Sequence, residues 1–224
     1  EAVEILKQYP HVSVGIHLTL NSEWKNYRWG PVAGVTMVPS LVDSLGHFFP
    51  SRSKLFANNP KLEEIETELR AQIEKALKAG LKLDYLDYHM GAAMQTPETR
   101  AIVEKLAAEY NLAISRYYDE VDVEGGYAAP VANKLDTMLK KVTNLQPGGT
   151  KLFVVHIGLD EPEMAAMEDL NPSGPKDMSK HRQAELRALL ALPFQQLIYS
   201  DRFRIVNYRM LNEEKGLKSM KRPK

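Results

Sequence analysis

Short β-branched apolar runs alternate with amphipathic helical stretches along nearly the whole chain, and this alternation restricts the fold more than any other feature. Residues 12–20 carry apolar side chains on alternate positions and read as a strand, as do 81–87, 112–115, the buried run 151–157 and a last one at 204–208. The clearest helix has Asn59 as its cap, Pro60 in its first turn, Glu63, Glu64 and Glu66 at its positive end, and a stripe of Leu62, Ile65, Leu69, Ile73 and Leu77 before Gly80 stops it. A second opens at Thr96-Pro97-Glu98 with Ile102, Val103, Leu106 and Tyr110 as its stripe, and two more cover 131–145 and 178–192. Strands alternating with helices predict an α/β fold of parallel strands joined by crossover helices. The pattern serves an open doubly wound sheet and a barrel equally.

The 224 residues suit one domain. Segment 21–60, rich in Pro, Gly, Ser, Asn and aromatic residues, is too long for an ordinary connection and reads as a functional loop. The opening residues, with Val3 and Leu6 ahead of Pro10, read as the last turns of a helix, so the sequence is expected to be a processed product or a piece. The basic tail 215–224 reads as frayed.

Elimination narrows the chemistry. Cysteine is absent, which excludes disulfide scaffolds, zinc fingers, iron–sulfur centres and thiol nucleophiles, and leaves any metal to His, Asp and Glu. The 29 Lys and Arg balance the 29 Asp and Glu, so no field draws in nucleic acid. No apolar run approaches the roughly 20 residues of a membrane helix. Gly125-Gly126 and Gly148-Gly149 lack the context of a phosphate loop, and no Gly-x-Ser-x-Gly elbow occurs. Acidic pairs such as Glu63/Glu64 and Asp119/Glu120 read as solvated faces.

Three of the six histidines, His17, His89 and His156, lie in or just beyond predicted strands. Carboxyl ends of parallel strands converge on one mouth, where active sites are built. Asp84 and Asp87 precede His89, and Asp87 is placed to orient it.

In order along the chain, Gly15-Ile16-His17-Leu18-Thr19-Leu20, Trp24, Trp29-Gly30-Pro31-Val32, Pro39-Ser40-Leu41-Val42-Asp43, Leu86-Asp87-Tyr88-His89, Val155-His156-Ile157-Gly158 and His181-Arg182-Gln183-Ala184-Glu185-Leu186 resemble the landmarks of the YdjC-like family of carbohydrate deacetylases. The resemblance spans residues 12–208. It implies a (β/α) barrel, distorted or incomplete, and a divalent metal, Mg²⁺ or Zn²⁺, held by one Asp and two His. His17 and His89 take the two histidine positions. His156 takes that of a general acid or substrate-orienting group. Asp87, two residues before His89 in the sequence, is the other candidate catalytic residue. Trp24, Tyr27 and Trp29 offer faces for a sugar ring, and Asp43 and Arg182 count as further substrate contacts. Arg182 and Glu185 match an Arg-x-x-Glu in which a structural ion pair is at least as good a reading as catalysis.

Departures from the pattern carry information too. The Asp-Asp segment of the family's first strand, source of the third ligand and of the base, has no counterpart in this sequence, which suggests a barrel short by on the order of 50 to 70 residues. His156-Ile157-Gly158 stands where relatives have His-Pro-Gly, and Tyr88-His89-Met90-Gly91 where they have a His-rich run. The implied reaction is metal-assisted hydrolysis of an acetamide on an N-acetylated amino sugar. A glycoside hydrolase, or a sugar-binding protein on the same scaffold, is the rival reading. A homodimer is compatible with either, and lack of cysteine suits both the cytoplasm and export.

Overall fold

A computed structural model describes residues 1–172 and 174–223. Helix α1 (Ala2–Gln8) precedes strand β1 (Gly15–Leu18), helices α2 (Arg52–Ala57) and α3 (Leu62–Lys78), β2 (Tyr85–Tyr88), α4 (Pro97–Tyr110) and β3 (Ala113–Ile114). There follow β4 (Val121–Glu124), α5 (Lys134–Thr143), β5 (Lys151–Val154), the single turn α6 (Pro162–Ala165), α7 (Met178–Leu190), α8 (Leu192–Ile198) and α9 (Tyr208–Lys215). The chain forms two compact units, one of residues 1–23, 28–117 and 207–220, the other of 24–27, 118–206 and 221–224. Strand pairing is parallel in both, as the alternation predicts.

In the first unit the strand order is β1-β2-β3, with Gly15 opposite Tyr85 and His17 opposite Asp87. Helices α3 and α4 supply the crossovers, and their stripes meet the sheet through Ile65, Leu69, Ile73, Val103 and Leu106, all fully buried. Each such side chain contributes roughly 1.5–3 kcal/mol of burial. Helix α4 begins as expected: Thr96 and Thr99 cap each other's main-chain N–H groups, at 3.1 and 3.3 Å. Helix α3 does not, because Asn59 has a left-handed φ of 50° and the cap position falls on Lys61. Ser40 explains the shift. Its hydroxyl accepts the Lys61 N–H at 3.0 Å while its own N–H goes to Glu64 at 2.7 Å, tying the long loop to the helix start.

Other parts of that loop are tied down likewise. Glu68, fully buried, accepts the N–H groups of Val32 and Ala33 at 3.0 and 2.9 Å, and Val38, Leu41 and Phe48 sink into the core. The strand expected at 204–208 is absent. Asn207 instead accepts the Met210 N–H at 3.0 Å as a helix cap, and α9 starts at Tyr208, whose ring stacks on Tyr85 at 4.3 Å. Beyond α9, Leu217–Ser219 makes a 3-10 turn and the Met220 sulfur accepts the Ile114 N–H at 3.3 Å.

In the second unit β4 pairs with β5, and α5, α7 and α8 pack around Met138, Val142, Ala188 and Phe194. Gly125 ends β4 against the carbonyl of Val154, with no room for a Cβ atom. Among the described residues, no helix is long and apolar enough to cross a membrane.

Candidate active site

The first unit gathers two histidines and two carboxylates at the ends of β1 and β2. Parallel register sets His17 beside Asp87, with Nδ1 of the imidazole 2.9 Å from Oδ2. His89 follows β2 directly, where Met90 and Gly91 take left-handed φ values of 49° and 72° and bend the chain. Its Nδ1 lies 3.3 Å from His17 Nε2, and its Nε2 lies 2.8 Å from Glu23 Oε2. Asn21 donates to the same Glu23 oxygen at 3.3 Å, and Arg116 donates to Asp87 Oδ1 at 3.3 Å. Trp29 stands edge-on to His89, ring centroids 6.4 Å apart.

Donor chemistry fixes the tautomers. Burial pushes the Asp87 carboxyl up, but the His17 hydrogen bond and charge, with Arg116, hold it below the usual carboxylate range, so it is ionised. An ionised carboxylate only accepts, so His17 donates from Nδ1, and the neutral form of the ring then has its lone pair on Nε2. A carboxylate at Glu23 likewise takes a hydrogen bond from His89 Nε2, and the neutral form of that ring has its lone pair on Nδ1. These two inner nitrogens face each other across 3.3 Å. Two nitrogen ligands of one ion, each at ~2.1 Å and separated by roughly 90–110°, stand about 3.0–3.4 Å apart. A carboxylate behind each metal-binding imidazole is the usual outer arrangement. The pair therefore fits a divalent cation as two of its ligands. No three His, Asp or Glu side chains among the described residues form a complete metal-holding group. His17 keeps 54% of its side chain exposed and Glu23 only 5%, so the imidazoles are reachable while the carboxylate behind His89 is sealed.

Sequence reasoning missed Glu23 and Arg116. Glu23 carried a signal, since it lies six residues after His17 at the mouth of the same strand. Asp43 is engaged with its own loop, pairing with Arg28 at 2.6 Å and accepting the N–H groups of Leu45 and His47 at 2.9 and 3.2 Å.

The remaining expected residues belong to the second unit. Trp24 is buried and its ring is covered by the Arg182 guanidinium at 5.4 Å, whereas Tyr27 is exposed. Arg182 does not pair with Glu185. That carboxylate meets Lys134 at 3.1 Å and accepts the His156 main-chain N–H at 2.7 Å. The His156 ring lies edge-on to Tyr127, centroids 5.2 Å apart.

A model of the YdjC-like protein family matches residues 1–200. The chain belongs to the YdjC-like family. It is 40% identical over 113 residues to a carbohydrate deacetylase of Brevibacillus brevis, a match covering 50% of this chain and 41% of the relative. Against a carbohydrate deacetylase of Oceanobacillus iheyensis it is 40% identical over 119 residues, or 53% of this chain and 47% of that one. The matched stretch thus spans less than half of each relative. A solved structure from Enterococcus faecalis V583, of a protein provisionally named for cellobiose-phosphate cleavage, shares the fold with a TM-score of 0.73 at 22% identity, over 94% of this YdjC-like chain and 82% of that one.

Proposed function

We propose that this YdjC-like chain belongs to a metal-dependent carbohydrate deacetylase that hydrolyses the acetamide of an N-acetylated amino sugar on a (β/α) barrel-like scaffold. The observation that carries the reading is the pair of facing nitrogens on His17 and His89, each imidazole backed by a carboxylate. The deacetylase names of the relatives point the same way. His17 Nε2 and His89 Nδ1 would hold Mg²⁺ or Zn²⁺, and such an ion supplies Lewis acidity toward a carbonyl oxygen and toward water. Asp87 and Glu23 orient the two imidazoles by accepting from their outer nitrogens, and Arg116 adds its charge to the hold on Asp87. Trp29 gives the sugar an aromatic edge beside His89. The family resemblance gives His156 the proton for the departing amine.

A glycoside hydrolase would need two carboxyl groups facing the sugar; Asp87 and Glu23 are instead occupied by the histidines. The test uses the full-length protein and its His89→Ala variant, measuring bound metal by mass spectrometry and acetate released from N-acetylglucosamine oligomers. Loss of metal together with loss of acetate is expected. Retained metal with unchanged acetate release overturns the reading, chain cleavage without acetate favours the hydrolase, and sugar binding without either product favours a lectin-like role.

A further inference from the structure

Among the described residues of the second unit, Lys134 and Glu185 form a fully buried ion pair, with side-chain exposures of 1% and 2%. Lys134 is the first residue of α5, the end of a helix that repels a cation. Removing two charges from water costs several kcal/mol per ion, and apolar residues of similar volume are often as stable or more so. Stability alone is therefore a poor account of this pair.

Its hydrogen bonds suggest another. Lys134 Nζ donates to the carbonyls of Gly126 and Tyr127 at 2.9 and 2.8 Å and to Glu185 Oε1 at 3.1 Å, which uses all three of its protons. Glu185 Oε2 accepts the His156 N–H at 2.7 Å. The turn after β4 and the chain after β5 are thus fastened to one charged pair. Those are the segments that carry Tyr127 and His156, whose rings meet at 5.2 Å. His181, one turn before Glu185 on α7, is held toward its neutral form by burial and by Lys134, so it adds no second cation to the cluster.

We propose that Lys134 and Glu185 are positioning residues, a buried pair whose work is to fix the main chain at His156 and the ring contact between His156 and Tyr127. The catalytic side of this inference rests on the reading of His156 as proton donor to the leaving amine; the anchoring itself does not. Charge-assisted bonds of this kind set an approach geometry, and a displacement of about 1 Å at a reacting group costs on the order of 100-fold in rate.

The decisive variant is the double substitution Lys134→Met/Glu185→Leu in the full-length protein, which removes both charges and leaves neither buried alone. Amide hydrogen exchange, kcat and KM for acetate release, and thermal unfolding are compared with wild type and with His156→Ala. A folded double variant is expected to exchange the His156 amide at least ~10-fold faster and to lose roughly 10- to 100-fold in kcat, with KM changed by less than about 2-fold. Unchanged exchange at His156 in that folded variant overturns the proposal. Faster exchange with full turnover by His156→Ala removes the proton-donor reading and leaves the anchoring supported. Should the double variant not fold, Glu185→Gln carries the same comparison: its amide oxygen can take the place of Oε2 toward His156 or of Oε1 toward Lys134 but not both, so faster exchange at His156 or in the 126–128 turn supports the anchor and unchanged exchange at both refutes it.

Discussion

His17 and Asp87 are register partners on adjacent parallel strands, and the carboxylate of one holds the imidazole of the other at 2.9 Å. Parallel pairing places their side chains on the same face of the sheet, so backbone hydrogen bonding alone delivers the contact. The tautomer of His17, and with it the availability of Nε2, follows from which strand residue stands opposite.

Replacing Asp87 with Ala should weaken divalent metal binding by about 10- to 100-fold, the usual loss when the carboxylate behind a ligating histidine is removed. Asp87→Asn should lose less, since its amide oxygen can still accept from His17 Nδ1. Isothermal titration with Zn²⁺ measures both, and equal affinity in wild type and Asp87→Ala would refute the orienting role.

At the other end of the pair, Glu23→Ala should be the damaging change and Glu23→Gln the mild one. Glu23 Oε2 accepts from both His89 Nε2 and Asn21 Nδ2, so a glutamine that sets its amide oxygen there keeps both contacts, whereas alanine leaves His89 with no acceptor behind it. Zn²⁺ affinity should fall by about 10- to 100-fold in Glu23→Ala, and wild-type affinity in that variant would remove the orienting role of Glu23.

Helix α4 and the strand ends bearing His17 and His89 were legible in the sequence because each rests on local chemistry: the Thr96 cap, an i, i+3, i+4 stripe, short β-branched runs. The pairing of those two histidines followed from parallel topology. Arg116 and Lys134 were not legible, since a lone acid or base in sequence carries no mark of the buried partner it meets, and Glu23 offered only its place six residues after His17. Lys134 left one trace, a cation at the wrong end of a helix. Residues 204–208 misled because Ile205 and Val206 look like strand residues, while the Asn207 cap decides the outcome.

Gly125→Ala should disrupt the second unit locally. A Cβ atom there would run into the Val154 carbonyl and also reach Val155 Cγ1 at 2.8 Å, so the β4–β5 pair must separate at that end. The cost should be about 2–3 kcal/mol, in the range of overpacked sites. Hydrogen exchange should rise in 121–124 and 151–154 and stay unchanged in α3 and α4.

A pH dependence of stability follows from Asp84 and Arg209. The guanidinium grips the carboxylate through two bonds of 2.9 Å and also donates to the carbonyls of Pro10 and Val12, and Asp84 accepts the Val14 N–H at 3.1 Å. Burial pushes the Asp84 carboxyl up, yet Arg209 and the Val14 N–H outweigh it and hold the carboxyl below its ordinary 3.8. A carboxyl depressed by folding adds stability that is complete above its unfolded value and is lost as pH falls through its folded one. Stability should therefore drop through this group as pH falls below about 5, and Asp84→Asn should flatten that part of the profile in urea unfolding. At neutral pH, Arg209→Ala should cost about 3 kcal/mol, because it leaves Asp84 charged and buried. An acid profile unaltered by Asp84→Asn would assign the sensitivity to other carboxylates.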